Sequence, residues 1–384
     1  MKLVNIVGAR PQFIKLAPVL KAILEYNAAH PDRPIQEILV HTGQHYDYRM
    51  SGVFFDELGL KSPAYHLGVG SGTHGAQTGE MLRRIEEVLM AEHPDIVMVY
   101  GDTNTTVAGA LAAAKLHIPV AHVEAGLRSF NRRMPEEINR VLTDHLSDLL
   151  FCPTETAVRN LEREGITRGV HRVGDVMYDA VLQYLELAQR KSRILEQLAL
   201  KPSSYALATI HRAENTDEPV RLAGVREGLR LVHSSGLPVV MPLHPRTRRA
   251  IAEHGLSLDG VRLIEPVSYL DMLVLEKHAR VILTDSGGVQ KEAFFFGVPC
   301  VTLRDETEWV ETVETGWNTL VGHQPEAICG AALNMRSSLQ RTPAYGDGTA
   351  ARQVIALLAG HAPRPAPCQA QQNANASCSC AGAA

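Results

Sequence analysis

Short runs of β-branched and aliphatic residues alternate with helix-type patterns along nearly the whole chain. Lys2–Val7 and Ile96–Tyr100 are such runs in the first half, and Val281–Thr284 is one in the second. Runs that are apolar at almost every position are typical of parallel strands with helices on both faces. The alternation therefore predicts an α/β protein built of repeated strand–helix units.

The pattern predicts five strands in each half of the chain. Those of the first half are Lys2–Val7, Glu37–His41, Ile96–Tyr100, Val120–Glu124 and Leu149–Cys152. Those of the second half are Tyr205–Ile210, Val239–Pro242, Arg262–Ile264, Val281–Thr284 and Cys300–Leu303. The two sets are similar enough to predict two similar sheets.

The length of 384 residues corresponds to about two domains. A charged helical stretch at about Tyr178–Leu200 places the boundary after Asp175. We therefore expect two doubly wound, Rossmann-like domains, residues 1–175 and 176–361, that face each other across a cleft. Residues 362–384 are rich in Ala, Pro, Gln and Asn, which predicts a disordered tail without a core.

Composition excludes several classes of function. With 38 basic and 42 acidic residues the net charge is −4, so no basic field exists for nucleic acid or an anionic membrane. Gly8 and Arg10 interrupt the first apolar run, and no apolar stretch reaches the roughly 18 residues of a membrane span, so we predict a cytoplasmic protein. The six cysteines are scattered, and Cys378 and Cys380 are too close for the usual zinc spacing; no metal site is expected.

Ligands of doubly wound sheets bind beyond the carboxyl ends of the strands, so the residues there are the candidates for function. In the first half, the turn Gly8–Lys15 carries Arg10 and Lys15 and is consistent with an anion site. It lacks the GxGxxG fingerprint, which argues against a dinucleotide-dependent dehydrogenase. A plain βα turn with two solvated cations explains it equally well.

Three acidic residues follow strands or begin helices in the first half: Asp102, Glu124 and Glu136. A helix cap accounts for Asp102, and the helix macrodipole favours an acid at Glu136. Glu124 has no such explanation. If the three converge on one cleft, burial and like charge are expected to raise a pKa enough for acid–base catalysis near pH 7.

The second half carries the strongest single signal, Asp285-Ser286-Gly287-Gly288, where a strand passes directly into a helix. Backbone N–H groups and the positive helix end can hold a diphosphate there, and Glu292, one turn later, can meet ribose hydroxyls. His211 and His244 end two other strands. A lone histidine is usually a surface or core residue, but both lie at the edge that we expect to line the cleft.

Taken as an ordered set, these segments resemble the non-hydrolysing UDP-N-acetylglucosamine 2-epimerases. The resemblance covers residues 1 to about 360, whereas the Ser-Gly-Gly segment alone is shared with many glycosyltransferases. The motifs that carry it are Gly8-Ala9-Arg10-Pro11-Gln12-Phe13-Ile14-Lys15, Gly101-Asp102-Thr103, His122-Val123-Glu124-Ala125-Gly126-Leu127-Arg128, Pro135-Glu136-Glu137-Ile138-Asn139-Arg140 and Asp285-Ser286-Gly287-Gly288.

The resemblance implies the two-domain GT-B fold, a UDP-sugar substrate, no metal or redox cofactor and a homodimer. The implied reaction inverts C2 of UDP-GlcNAc to give UDP-ManNAc, through loss of UDP to a 2-acetamidoglucal and its re-addition. The implied catalytic residues are Asp102, Glu124, Glu136, His211 and Lys15. The implied substrate-binding residues are Arg10, Arg128, His244, Asp285, Ser286, Gly287, Gly288 and Glu292.

Some motifs depart from the commonest family pattern. Where many family members have Gly-Thr-Arg-Pro-Glu, this chain has Gly8-Ala9-Arg10-Pro11-Gln12. Where they have Arg-Pro-Glu, it has Trp309-Val310-Glu311. These forms are more similar to the branch acting on UDP-2,3-diacetamido-glucuronic acid, the second candidate substrate. The resemblance also implies activation by a second UDP-GlcNAc near Gln44, His45 and His244, as in bacterial members. The segment that ends at Asp47 differs from the family pattern, which argues against this regulation. A GT-B glycosyltransferase and a non-catalytic nucleotide-sugar sensor are the alternatives.

Overall fold

The computed structural model describes residues 1–43, 57–335 and 343–361, and it contains two parallel sheets. In the first sheet the strand order is β3-β2-β1-β4-β5-β6-β7. Its strands are β1 Lys2–Val7, β2 Gln36–His41, β3 Tyr65–His66, β4 Ile96–Tyr100, β5 Val120–Val123, β6 Leu149–Cys152 and β7 Val170–Arg172.

The second sheet repeats this order as β10-β9-β8-β11-β12-β13. Its strands are β8 Ala206–Thr209, β9 Val239–Pro242, β10 Val261–Ile264, β11 Val281–Thr284, β12 Cys300–Thr302 and β13 Asn318–Leu320. Both orders are of the Rossmann type, with the direction of winding reversing between β1 and β4 and between β8 and β11. The predicted fold class, two doubly wound sheets, is confirmed.

Helices cover the faces of both sheets. In the first half they are α1 Arg10–Ala29, α2 His74–Glu92, α3 Asn104–Lys115, α4 Pro135–Leu146, α5 Glu155–Arg163, α6 Val176–Lys191 and α7 Ile194–Gln197. In the second half they are α8 Ala213–Thr216, α9 Pro219–Ser234, α10 Pro245–Glu253, α11 Tyr269–His278, α12 Gly287–Phe296, α13 Val310–Glu314, α14 Pro325–Asn334 and α15 Ala350–Gly360. No helix in the described ranges is long and apolar enough to cross a membrane.

The central strands form where the sequence is apolar throughout. Every residue of β4 is buried, and so is every residue of β11. A strand with both faces covered gains about 25 cal/mol for each Å² of apolar surface removed from water, so a continuous apolar run favours the central position. This arrangement brings the polar residues after β1, β4, β8 and β11 to the two winding-reversal points.

The stretch that links the two sheets differs from its predicted form. Sequence pattern predicts one helix at about Tyr178–Leu200, but α6 ends at Lys191, and Ser192 donates a hydrogen bond to Asp271 (Oγ–Oδ1 2.5 Å) before α7 begins. At the other end of the chain, α15 packs on α1, and Arg352 forms an ion pair with Glu25 (2.8 Å). The terminal helix therefore contacts the first sheet's layer. The boundary after Asp175 stays a prediction.

Candidate active site

The site lies between the two winding-reversal points, where side chains of both sheets meet. Glu124 is at its centre: it follows β5, its backbone φ is +76°, and the residue is 7% exposed. Lys15 from α1 pairs with one carboxylate oxygen, and Lys291 from α12 pairs with the other (Nζ–Oε1 2.8 Å). Glu124 is thus clamped by one cation from each half of the molecule.

Lys291 also binds Asp175 (Nζ–Oδ2 2.6 Å) and lies 4.0 Å from the centroid of the Trp309 ring. Together with Lys15 and Glu124, these residues form a buried cluster of two cations and two carboxylates, which we call the Glu124 cluster. Gly101 completes it, because a Cβ there would lie 3.0 Å from Lys15 Nζ, closer than ordinary packing allows.

The electrostatics of Glu124 differ from the expectation that cleft carboxylates have raised pKa values. Burial raises the pKa of Glu124, but the two lysines outweigh burial and hold that pKa at about 2. Glu124 is therefore ionised throughout the neutral range. The expected raised pKa of Glu124 is wrong because it took account of the neighbouring acids but not of Lys291 on α12.

Lys291 was missed by sequence reasoning, although its position carried a signal. It lies near the N-terminal end of α12, where the helix macrodipole disfavours a cation. A lysine in that place needs a carboxylate partner, and Glu124 and Asp175 supply two.

Asp102 lies directly after β4 and Gly101. Arg140 of α4 donates to its carboxylate and also to Glu137 (Nη1–Oε2 2.9 Å). The side chain of Asp102 remains 29% exposed to the cleft. Asp102 is therefore oriented by an ion pair on one side and open to a ligand on the other.

Glu136 begins α4 and is the most open of the three acids, with 39% of its side chain exposed. Arg212 lies 3.9 Å from its carboxylate and 3.7 Å from that of Glu308, which Arg304 holds at 3.0 Å. The pKa of Glu308 is raised by burial, but Arg304, Arg140 and Arg212 outweigh that effect and lower it. Arg212, Arg304 and Arg140 thus make this side of the cleft rich in cations.

Asp285 is fully buried and accepts hydrogen bonds from the backbone N–H groups of His211 and Arg212 and from Asn215 (3.0–3.1 Å). Its carboxylate also lies 3.3 Å from His211 Nδ1. Asp285 therefore positions the loop after β8. His211 has 39% of its side chain exposed, and its ring lies 5.5 Å from that of His244. Desolvation lowers the pKa of His211, against the opposing effect of Asp285.

The predicted diphosphate loop lies at the start of α12. Ser286 caps the helix by accepting from the N–H of Val289 (3.5 Å). A Cβ on Gly287 would lie 2.7 Å from Glu308 Oε1 and 2.9 Å from Trp309 Nε1, so only glycine fits. The helix N-terminus carries about half a positive charge, which suits a phosphate group.

Glu292 lies one turn into α12 and is 5% exposed. Burial raises its pKa to about 7, although Lys291, Tyr269 and Arg10 each oppose that shift. Arg10, at the start of α1, is therefore close enough to Glu292 of the second half for their charges to interact.

Arg128 is not brought to the cleft. Its guanidinium is buried and pairs with Asp144 (2.7 Å) and Glu164 (2.7 Å), which account for its position in the fold. Gln44, His45 and Asp47 lie outside the described residues. Within the described ranges no group of three or more His, Cys, Asp or Glu side chains could hold a metal ion.

The arrangement offers two kinds of chemistry in one cleft. Asp102, Glu124 and Glu136 place three carboxylates on the side of the first sheet, and carboxyl groups are suited to proton transfer. Facing them, Arg10 and the start of α12 supply positive potential, and His211 offers a hydrogen-bond donor, so a leaving anion can be stabilised there.

Comparison with known proteins identifies the family. A family described as UDP-N-acetylglucosamine 2-epimerase matches residues 27–359. A Methanococcus maripaludis protein named UDP-N-acetylglucosamine 2-epimerase homolog is 53% identical over 93% of this chain and 99% of its own. A Pseudomonas aeruginosa UDP-2,3-diacetamido-2,3-dideoxy-D-glucuronate 2-epimerase is 52% identical over 94% of this chain and 99% of its own.

The fold leads to the same family. The crystal structure of Methanocaldococcus jannaschii UDP-GlcNAc 2-epimerase in complex with UDP-GlcNAc and UDP superposes with a TM-score of 0.87. It is 46% identical and covers 94% of this chain and 100% of its own. These relatives cover 93–94% of this chain, and the chain belongs to the UDP-N-acetylglucosamine 2-epimerase family.

Proposed function

We propose that this protein inverts C2 of UDP-N-acetylglucosamine to give UDP-N-acetylmannosamine without net hydrolysis. One observation carries the proposal: the acids after β4 and β5 and at the start of α4 lie in the same cleft as the helix N-terminus at Ser286. An epimerase of this type needs acid–base groups and a diphosphate site together, whereas binding alone needs only the second.

The reaction divides into elimination and re-addition. In the first step a base removes the proton from C2, the C–H electron pair forms the C1=C2 bond, and the C1–O bond breaks with its electron pair going to UDP. In the second step UDP oxygen re-forms the bond to C1, and C2 receives a proton on the opposite face. The intermediate is a 2-acetamidoglucal, and atoms and charges balance without a redox cofactor.

We assign proton transfer to Glu124 and Glu136, on opposite faces of C2, with Asp102 as a third acid–base group. The 39% exposure of the Glu136 side chain provides contact with water through which its proton can exchange. Arg10, Lys15, His211 and the amides of Ser286-Gly287-Gly288 stabilise departing UDP, and Glu292 accepts hydrogen bonds from the ribose. Arg128 has no role in this assignment because its partners are Asp144 and Glu164.

The experiment that tests the proposal is turnover in D2O. Purified protein incubated with UDP-GlcNAc is expected to form UDP-ManNAc that carries deuterium at C2, because the returned proton comes from a group in exchange with solvent. NMR reads both the configuration and the isotope. Inversion with retention of the original C2 hydrogen would contradict this mechanism and indicate a redox route, of the type used by C4 epimerases.

A second substrate, UDP-2,3-diacetamido-glucuronic acid, is favoured by one observation: the Pseudomonas relative that acts on such a uronate is 52% identical over 94% of this chain. Parallel incubations with both nucleotide sugars distinguish the two. Release of free UDP with modification of an acceptor sugar would instead indicate a glycosyltransferase. Homodimer formation, a cytoplasmic location, a role in polysaccharide biosynthesis and activation by a second UDP-GlcNAc near His244 stay predictions.

A further inference from the structure

Glu276, near the end of α11, is a carboxyl group without an evident reason to be buried. Its residue is 0% exposed, and no donor in the described ranges reaches either of its carboxyl oxygens. An unpaired buried carboxylate costs several kcal/mol, so such a group is normally neutral or functional. The reaction described above makes no use of it.

The neighbour that explains Glu276 is Glu292. The two carboxyls lie close enough for a side-chain hydrogen bond, and Oε1 of Glu292 likewise has no donor among the described residues. Two carboxylates cannot hydrogen-bond because neither carries a hydrogen atom. The contact is favourable only when the pair holds at least one proton.

Charged and titratable groups surround the pair on every packed element. Lys291 lies beside Glu292 on α12, and Arg10 faces both carboxyls from α1. The remaining groups that face the pair or its immediate neighbours are Glu57, Tyr269 of α11, Tyr205 before β8 and Cys300 of β12.

These surroundings place the proton on one partner. Burial and the charge of Glu292 raise the pKa of Glu276 well above its usual range, whereas Lys291 and Arg10 moderate the rise at Glu292. Glu276 therefore keeps its proton when Glu292 ionises.

We propose that Glu276 is a positioning residue: its protonated carboxyl donates a hydrogen bond to the Glu292 carboxylate and aims the remaining lone pairs at the ribose hydroxyls of a nucleoside diphosphate. The inference rests on the proposed function, because it takes Glu292 as the ribose ligand. A carboxylate has about four acceptor positions, so one can bind Glu276 while others bind the ribose.

Calorimetry with UDP and 2′-deoxy-UDP tests this proposal, since the ratio of the two Kd values isolates the ribose 2′-hydroxyl and cancels the ionisation of the diphosphate. At pH 7.5 the wild-type protein is expected to prefer UDP. Glu276→Leu removes the donor at similar volume and should reduce that preference about tenfold, the size of one hydrogen bond to a charged group. Glu276→Gln keeps an N–H donor and should retain the preference within about threefold.

An unchanged preference in folded Glu276→Leu overturns the proposal, and so does equal loss in both variants, which would indicate packing alone.

If Glu276→Leu does not fold, the pH dependence decides. The preference should increase from pH 6 to pH 8 in both the wild type and Glu276→Gln, because an ionised Glu292 accepts a hydrogen bond more strongly than a neutral one, and a flat profile overturns the proposal. A wild-type protein that binds no UDP overturns the proposed function as well, whereas an active epimerase whose preference is indifferent to Glu276 overturns only the role of Glu276.

Discussion

Glu124 and Glu292 lie on opposite sides of one cleft, are almost equally buried at 7% and 5% exposure, and have opposite pKa shifts. The pKa of Glu124 is held at about 2, whereas that of Glu292 is raised to about 7. Burial disfavours the charged form of both. The strength of the neighbours therefore decides the sign: the two lysines that contact Glu124 outweigh burial, whereas the neighbours of Glu292 oppose burial without outweighing it.

This difference divides the functions of the cleft. The first sheet presents Glu124, which is ionised at neutral pH, and the second presents Glu292, which titrates near neutrality beside Glu276, which keeps its proton. Lys291 and Glu292 are consecutive residues of α12, so one turn of this helix contributes a lysine to the Glu124 cluster and a carboxyl to the pair with Glu276. Substitutions among the neighbours of either carboxyl therefore test whether those neighbours set its pKa.

The largest expected effect is that of Glu124→Gln on turnover. The amide keeps the shape of the side chain but cannot take a proton, so the epimerisation rate should fall about 10²–10⁴-fold, the usual size of a general acid–base contribution. UDP binding should be largely preserved because Ser286 and Glu292 are intact. An NMR assay of C2 inversion and calorimetry of UDP measure the two.

The matched control is Glu87→Gln, the same change on the outer face of α2, where 58% of the side chain is exposed. It should leave turnover and binding unchanged. A near-normal rate in Glu124→Gln would exclude Glu124 from proton transfer and leave the Glu124 cluster a structural feature.

The second effect is that of Lys291→Met, which removes the cation between Glu124 and Asp175. Breaking a buried ion pair by removing one partner costs about 3–5 kcal/mol of stability, because two carboxylates then face each other. The pKa of Glu124, now opposed by Lys15 alone, should increase, and the acid limb of the kcat profile should move to higher pH. Activity measured from pH 4 to pH 8 shows this shift.

Lys21→Met on the exposed face of α1 is the control and should have neither effect. An acid limb that stays in place in folded Lys291→Met, with only thermal stability reduced, would mean that Lys291 holds the two halves together without tuning Glu124.

The strands of the fold could be predicted with accurate bounds where they are central. Lys2–Val7, Ile96–Tyr100 and Val281–Thr284 match the structure, because a strand buried on both faces must be apolar throughout. The edge strands Tyr65–His66 and Asn318–Leu320 could not be predicted, since two or three residues are too few to show a hydrophobic periodicity.

The same limit applies to the site. The rule of strand ends brought Asp102, Glu124 and Glu136 to one cleft, because parallel strands end at a common edge. It could not predict the partners, since Lys291 is 167 residues from Glu124 in sequence. Nor could the rule predict the partners of Arg128, which follows a strand end and pairs with Asp144 and Glu164.

The smallest effect concerns stability between pH 5 and pH 7, and it separates the two carboxyls directly. The pKa of Glu292 is about 7 when folded and about 4.5 when unfolded, so the folded protein holds a proton that the unfolded chain has released. Stability from this group is full below about pH 4.5 and decreases by about 1.4 kcal/mol per pH unit as the pH rises toward 7. Glu292→Gln removes this slope and leaves that of Glu276.

The melting temperature should therefore fall less from pH 5 to pH 7 in Glu292→Gln than in the wild type. Glu124→Gln is the matched control: with a folded pKa of about 2, Glu124 is ionised in both states above pH 5 and contributes its stability loss only as the pH falls from about 4.5 toward 2. Its substitution should leave the slope between pH 5 and pH 7 unchanged. Equal slopes in the wild type and Glu292→Gln would mean that Glu292 is already ionised at pH 5, and the contrast between the two sides of the cleft would then rest on position and not on charge.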